Sequence, residues 1–301
     1  MIEGVVNVLK PPGMTSSDAV VDIRHIFGTR RVGHTGTLDP GAAGVLPICV
    51  GRATRLFDYL VEKEKTYIAE LCFGVKTDTQ DSYGTCIEKS NAVVTREQLE
   101  AVLPNFIGEI EQIAPMYSAI KIDGKKLCDI ARTGGEVERS ARKATIHELS
   151  VLDELETNRY LIRLRCSRGT YVRTLCEDIG SSLGVPAHMA FLLRSASGAF
   201  TIENTYSISE LRCMKDEGTL LNALTSIEDT LSFLPELHVP TEDEVLKKHL
   251  LNGVELTAER LGSEYPDGQY RVYCGEFVGI GRVENGAMRI TLMLWEAQDA
   301  Q

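Results

Sequence analysis

Between Val32 and Pro47 the chain reads VGHTGTLDPGAAGVLP, which sets His34, Thr35, Thr37 and Asp39 among four glycines and two prolines. The plain reading of Asp39–Pro40 is a turn whose carboxylate caps its own backbone. Two features argue for more. Gly33, Gly36, Gly41 and Gly44 let a large ligand approach the main chain closely. Loops held on a rigid scaffold are also where functional carboxylates concentrate. Spacing alone does not name the reaction.

A second charged residue stands out. A helix starts near Thr170, so Arg173 falls in its first turn, where a cation opposes the helix dipole by about 0.3–1 kcal/mol. An arginine kept there calls for an anionic partner, of which a surface phosphate is the plainest. The segment GTRRVGHT, Gly28 to Thr35, has the spacing of a phosphate-binding P-loop with His34 where lysine belongs. A P-loop needs a strand before it and a helix after it to aim amides at phosphate. Here a helix precedes and GTLDPGAAG cannot begin a regular one, so nucleotide hydrolysis is a weak rival. The eight cysteines lie at least ten residues apart, without CxxC, and the six histidines form no HExxH or HxH. Reduced thiols and no metal site are expected.

The elements that must position these residues can be read from periodicity. TSSDAVVDIRHIFG is a helix with Ser16 or Ser17 as N-cap and Gly28 as its stop. RATRLFDYLVEK is a second helix. KTYIAELCFG alternates, which places Tyr67, Ala69, Leu71 and Phe73 on one face of a strand. TREQLEAVLPNFIG opens with a capping box, Thr95 to Gln98, and GKKLCDIARTGG reads as a further helix ended by glycine. NRYLIRLRCSRGTYVRTLCEDIGSSLG is a strand, a turn and a helix stopped at Gly184. No βαβ rhythm and no repeat is present, so the fold class is α+β. Beyond Pro235 come one helix, TEDEVLKKHLLNG, and short strands, so the domains are 1–235 and a small β-rich unit, 236–301.

Composition limits the rest. The 301 residues suffice for two cores, and no apolar run approaches the ~20 residues of a membrane helix. The apolar patch near the N-terminus is too short for a signal peptide, so a cytoplasmic protein without membrane contact is expected. The net charge of −11 is unevenly spread: residues 1–198 carry −1 and residues 199–301 carry −10. Basic clusters at GTRRVGH, KIDGKK and RSARK leave room for a polyanionic substrate, because local patches set the binding field.

GHTGTLDPGAAGVLPICVGRATRL closely resembles the signature of the TruB family of tRNA pseudouridine synthases. The likeness continues in family order through KPPGMTS, KTYIAE, PMYSAIKIDGKKLCDIAR, CSRGTYVRTLCEDIG and AHMAFLLRSASG, covering Val5 to Gly198. It implies a pseudouridine synthase fold with a mixed, largely antiparallel central sheet and flanking helices. It also implies that Asp39 is the nucleophile, attacking a uridine swung out of the tRNA T-arm stem-loop. Arg173 would be its partner, holding the carboxylate ionised through a bidentate fork and lowering its pKa. Tyr67 would pack on the target base, Tyr171 and Leu192 would form pocket walls, and His34 would hold the flipped conformation. No cofactor is implied, and a stand-alone monomer acting on tRNA is expected; the alternative is a catalytically silent RNA-binding or RNA-folding protein, against which the presence of Asp39 together with the pocket residues argues.

The segments RTGGEVERSARK and KIDGKK are candidates for phosphate contacts. The tail, from NGVEL through YRVYCGEFVGIGRV and GAMRITLML, resembles a PUA-like domain. Its acidity is unusual for an RNA-binding appendage. Lys247, Lys248, Arg271, Arg282 or Arg289 could face RNA, or the unit is mainly structural.

Overall fold

The computed structural model describes residues 2–118, 121–122, 125–127, 130, 135 and 137–295. In chain order its strands are β1 (Gly4–Lys10), β2 (Val32–His34), β3 (Ala43–Val50), β4 (Lys65–Phe73), β5 (Val75–Thr77), β6 (Cys86–Lys89), β7 (Gly108–Ile113), β8 (Lys121–Ile122), β9 (Lys125–Lys126) and β10 (Ala141–Glu156). There follow β11 (Arg159–Cys166), β12 (Ala187–Ser197), β13 (Phe200–Thr201), β14 (Leu224–Thr225), β15 (Glu236–His238), β16 (Leu256–Thr257), β17 (Gly268–Cys274), β18 (Glu276–Glu284) and β19 (Ala287–Met293).

The larger sheet runs β14-β1-β3-β12-β4-β11-β10-β7, with β2 beside β3 and β13 beside β12. Only the β3–β12 pair in it is parallel, so the expected mixed, largely antiparallel α+β arrangement is found. Strands β1 and β3 are buried on both faces, which is why they read as apolar runs rather than alternating. Val6, Val8, Leu46, Ile48 and Val50 enter the main core. Helices Ser16–Phe27, Arg96–Val102, Val172–Ser182 and Ile208–Asp216 add Ile23, Leu99, Leu175 and Leu211 to it. Each such side chain contributes about 1.5–3 kcal/mol on burial. Val5 and Cys49, one residue out of step, join a cluster on the opposite face.

The C-terminal strands form the expected separate β-rich sheet, in the order β15-β17-β18-β19-β16. Its own core contains Leu237, Leu246, Leu250, Val272 and Met288. A third cluster ties it to the larger unit, where Val5, Leu56, Leu60 and Leu234 meet Ile280 and Leu294. Arg52 reinforces this junction by donating to the Leu294 carbonyl at 2.8 Å.

Local chemistry corrects several boundaries. The first helix is capped by Thr15 rather than by Ser16 or Ser17. The Thr15 hydroxyl accepts from the Asp18 amide and the Asp18 carboxylate accepts from the Thr15 amide, a reciprocal capping box. Ser16 is thereby free for another task. RATRLFDYLVEK divides into a tight 3-10 turn, Gly51–Leu56, and a short helix, Phe57–Val61. The helix expected near Thr170 begins at Val172, and Gly184 follows its end in the left-handed region at φ 68°. GKKLCDIARTGG lies largely outside the described residues. After Thr35 the chain runs through an irregular loop into β3, so the helix that a P-loop requires does not form.

Candidate active site

Three strands align the site. In the sheet register Gly44 of β3 pairs with Arg194 of β12, and Arg194 pairs with Tyr67 of β4. Gly44 has φ +115°, and a Cβ on it would lie 2.2 Å from the Arg194 carbonyl oxygen, so only glycine permits this approach. The loop before β3 is thus brought against the wall that carries Tyr67.

That loop, residues 35–42, has little regular structure but is braced on three sides. From the first, Arg194, 1% exposed, donates to the carbonyls of Val45 at 2.7 Å, Gly36 at 3.1 Å and Thr37 at 3.4 Å. Ser16 acts from the second: its hydroxyl accepts from the Leu38 amide at 2.9 Å and donates to the Leu38 carbonyl at 3.0 Å. Lys10, fully buried, completes the bracing by donating to the carbonyls of Pro11, Met14 and Pro40. Burial lowers the Lys10 ammonium pKa to about 8, against the opposing pull of Asp39. The Asp39–Pro40 turn is closed by the Asp39 carbonyl accepting from the Ala42 amide at 3.0 Å. The carboxylate is therefore not consumed in capping its own turn.

It meets an arginine instead. Arg173 Nε lies 3.1 Å from Asp39 Oδ2. The same guanidinium reaches Asp81 Oδ2 at 3.6 Å, the Thr79 carbonyl at 3.1 Å and the Tyr117 carbonyl at 2.9 Å. Asp81 is itself held by the Thr79 hydroxyl at 2.6 Å and the Tyr83 amide at 3.0 Å. Two carboxylates therefore share one buried cation. Burial pushes the Asp39 carboxyl above its ordinary value; Arg173 and Lys10 pull it down, and Asp81 pushes it up further. The downward shift expected from Arg173 alone is thus overcome, chiefly by desolvation. The Asp39 side chain nevertheless keeps 40% of its surface exposed, facing a cavity.

That cavity measures about 330 Å³, toward the small end of the ~300–1,000 Å³ usual for small-ligand sites. Asp39, Arg173, Tyr67, Tyr171 and Leu192 all line it, as do Lys65 and Arg194. Burial raises the pKa of both tyrosines, so each carries a neutral hydroxyl. Gln112 fixes Tyr171, accepting from its amide at 2.9 Å and donating to its carbonyl at 3.1 Å. His34 stands apart at the end of β2, outside the cavity lining, where its Nδ1 accepts from the Gly36 amide at 3.3 Å. Burial and Arg194 lower its pKa, which keeps the ring neutral and the loop strut intact. Among the described residues, no three His, Cys, Asp or Glu side chains are gathered as a metal ligand set. No helix among them is long and apolar enough to cross a membrane.

Residues 24–172 match the family model of the TruB family pseudouridylate synthase N-terminal domain, and residues 173–232 that of the tRNA pseudouridylate synthase B C-terminal domain. A tRNA pseudouridine synthase B of Bacillus cytotoxicus is 46% identical over 86% of this chain and 85% of its own length. One from Bacillus subtilis is 44% identical over 89% of this chain and 88% of its own. The chain belongs to the TruB family. Its fold is that of solved pseudouridine synthases. A Cbf5–Nop10–Gar1 complex is similar with TM-score 0.70 and 27% identity, over 93% of this chain and 78% of that one. An H/ACA RNP bound to a substrate RNA shares the fold with TM-score 0.73 at 24% identity, over 98% and 86%.

Within this TruB chain, the structure brings together five of the six residues singled out from sequence and adds others. Arg194 shares a strand face with Leu192, two residues apart, and a charge at that position of an apolar strand is the signal for it. Asp81 gives none, because TDTQDSYG reads as an ordinary polar turn. Lys10, Ser16 and Gln112 act through the backbone, which sequence does not display.

Proposed function

We propose that the chain isomerises uridine to pseudouridine in the T loop of tRNA, with Asp39 as nucleophile. The observation that carries this reading is a loop carboxylate, paired with a buried arginine, at the wall of a base-sized cavity. Membership in the TruB family and the names of its relatives supply the substrate class. In the reaction the N1–C1′ bond breaks, uracil turns within the pocket and C5 bonds to C1′. The C5 proton leaves and N1 takes one up, so atoms balance without an oxidant or reductant. Attack at C6 of the base or at C1′ of the ribose alike requires Asp39 ionised.

The pocket residues fit distinct parts of that sequence. Tyr67 offers a ring for the flipped base, and stacking of ~1–3 kcal/mol offsets part of the few kcal/mol that flipping costs. Tyr171 and Leu192 enclose it, and His34 supports the loop from behind. The enzyme acts as a monomer without cofactor. Arg30, Arg31 and Arg142, exposed on the surface of the larger unit, are suited to phosphate. The side chains of KIDGKK, and part of RTGGEVERSARK, lie outside the described residues.

Residues 1–235 are the catalytic unit, and 236–301 serve mainly as a structural appendage. Arg271 pairs with Glu236 at 3.0 Å and Arg282 with Glu284 at 2.7 Å, which occupies two of the five cations available to RNA there. The shared cluster around Val5, Leu56 and Ile280 means that deleting the tail would expose apolar side chains of the main unit. Deletion would therefore confound affinity with folding.

The test is release of the C5 hydrogen from a T-arm stem-loop carrying labelled uridine, compared with an anticodon stem-loop. Release from the first alone supports the reading; equal release, or none, contradicts it.

A further inference from the structure

We propose that Tyr83 is a stacking platform for an RNA base flanking the flipped uridine, and so a positioning residue outside the pocket. This rests on the reading of the chain as an RNA-modifying enzyme. Tyr83 is 74% exposed, the most open of the large apolar and aromatic side chains among the described residues. Its ring is not loose. A Cβ on Gly41 would lie 2.1 Å from Tyr83 Cε2, so the ring lies directly on the catalytic loop, two residues beyond Asp39.

The turn that carries the ring is tied to the catalytic ion cluster. The Tyr83 amide donates to Asp81 Oδ1 at 3.0 Å, while the other oxygen of that carboxylate faces Arg173. The Ser82 hydroxyl donates to the Ala190 carbonyl at 3.0 Å, and the Thr85 amide to Asp78 Oδ1 at 2.7 Å. Asp81 bridges Met189 in parallel, which seats this turn against β12. The Tyr83 hydroxyl has no partner among the described residues, so the ring is held by its contact with Gly41 and not through its polar tip.

The occupant follows from the chemistry next door. Extruding a nucleotide leaves its neighbours without a stacking partner on one side. An aromatic face on the catalytic loop, two residues beyond Asp39, replaces that partner, and it tolerates any base because every base has a π-face. Tyr67 lines the cavity and faces the flipped base; Tyr83 does not line it and faces outward.

Tyr83→Ala and Tyr83→Phe would be compared with wild type on a T-arm stem-loop, reading affinity, single-turnover rate at saturating RNA and thermal stability. The same set would be run with an abasic site at one or the other nucleotide flanking the target. The expected result is about five-fold or greater weakening for Tyr83→Ala. The saturated rate and the melting point should be unchanged, and Tyr83→Phe should restore affinity. On one of the two abasic RNAs wild type and Tyr83→Ala should bind alike. Wild-type affinity in Tyr83→Ala, or an equal loss on all three RNAs, would overturn the proposal. Binding without pseudouridine in the wild type would count against the proposed reaction and leave the stacking comparison intact; no binding would overturn both.

Discussion

Arg173 meets Asp39 through Nε, at 3.1 Å, and not through a paired fork of its terminal nitrogens. Those nitrogens reach Asp81 and the carbonyls of Thr79 and Tyr117. The side chain therefore works as a hub that fixes the nucleophile relative to two other loops. Lysine offers three donors on a point charge and cannot span these directions in one plane. Arg173→Lys should lose about 10²-fold or more in single-turnover rate, the scale of a ~1 Å misplacement, while RNA affinity stays near wild type. Wild-type turnover would remove the hub from the catalytic account.

The pH profile carries the same geometry. Asp39 must be ionised to attack, and its pKa is raised above the ordinary 3.8. A raised pKa means protonation begins at higher pH, so the acid limb of kcat/KM should lie above that value. Asp81 is one of the causes, as a like charge nearby. Asp81→Asn keeps the shape and removes the charge, so the limb should move to lower pH, even where the maximal rate drops. A limb that stays put or moves upward would contradict the shared-cation arrangement.

Arg194 is tested through stability. Replacing it with Met leaves the carbonyls of Val45, Gly36 and Thr37 without their donor, and a buried acceptor so stranded costs ~1–3 kcal/mol. Denaturant unfolding should show a loss of at least about 2 kcal/mol. Turnover should fall as well, because the Gly36 and Thr37 carbonyls belong to the loop that carries Asp39. Unchanged stability would mean the loop is held without Arg194.

RNA affinity should fall with salt, since each neutralised phosphate releases counterions. Arg30 and Arg31 are exposed beside β2, near the catalytic loop. Replacing both with Ala should weaken binding to all stem-loops alike. It should also flatten the log Kd–log salt slope by about one for each phosphate that is no longer neutralised. A slope identical to wild type would assign the phosphate-binding cations elsewhere.

Much of this is legible in sequence where periodicity or a distinctive block carries it. The alternation of Tyr67 to Phe73 marks the strand and its buried face, and the run GVLPICV reflects a strand buried on both sides. The pairing of Asp39 with Arg173 comes from family likeness, with helix position as independent support. What stays hidden lies in long-range hydrogen bonding. Ser16 reads as a cap because it stands next to Thr15, yet its hydroxyl serves Leu38, 22 residues away. Asp81 joins the site only because β12 draws its turn in beside Met189. The sign of the Asp39 shift is reversed because an opposite charge can be inferred from sequence, whereas desolvation requires the cavity.

The measurement that bears most directly on the central claim is pseudouridine formation in a T-arm stem-loop by wild type and Asp39→Asn, with binding followed in parallel. Asparagine keeps the size and one acceptor oxygen but is not a nucleophile at neutral pH. Both proteins should bind, and only wild type should form product. Product from Asp39→Asn at a rate near wild type would contradict the claim.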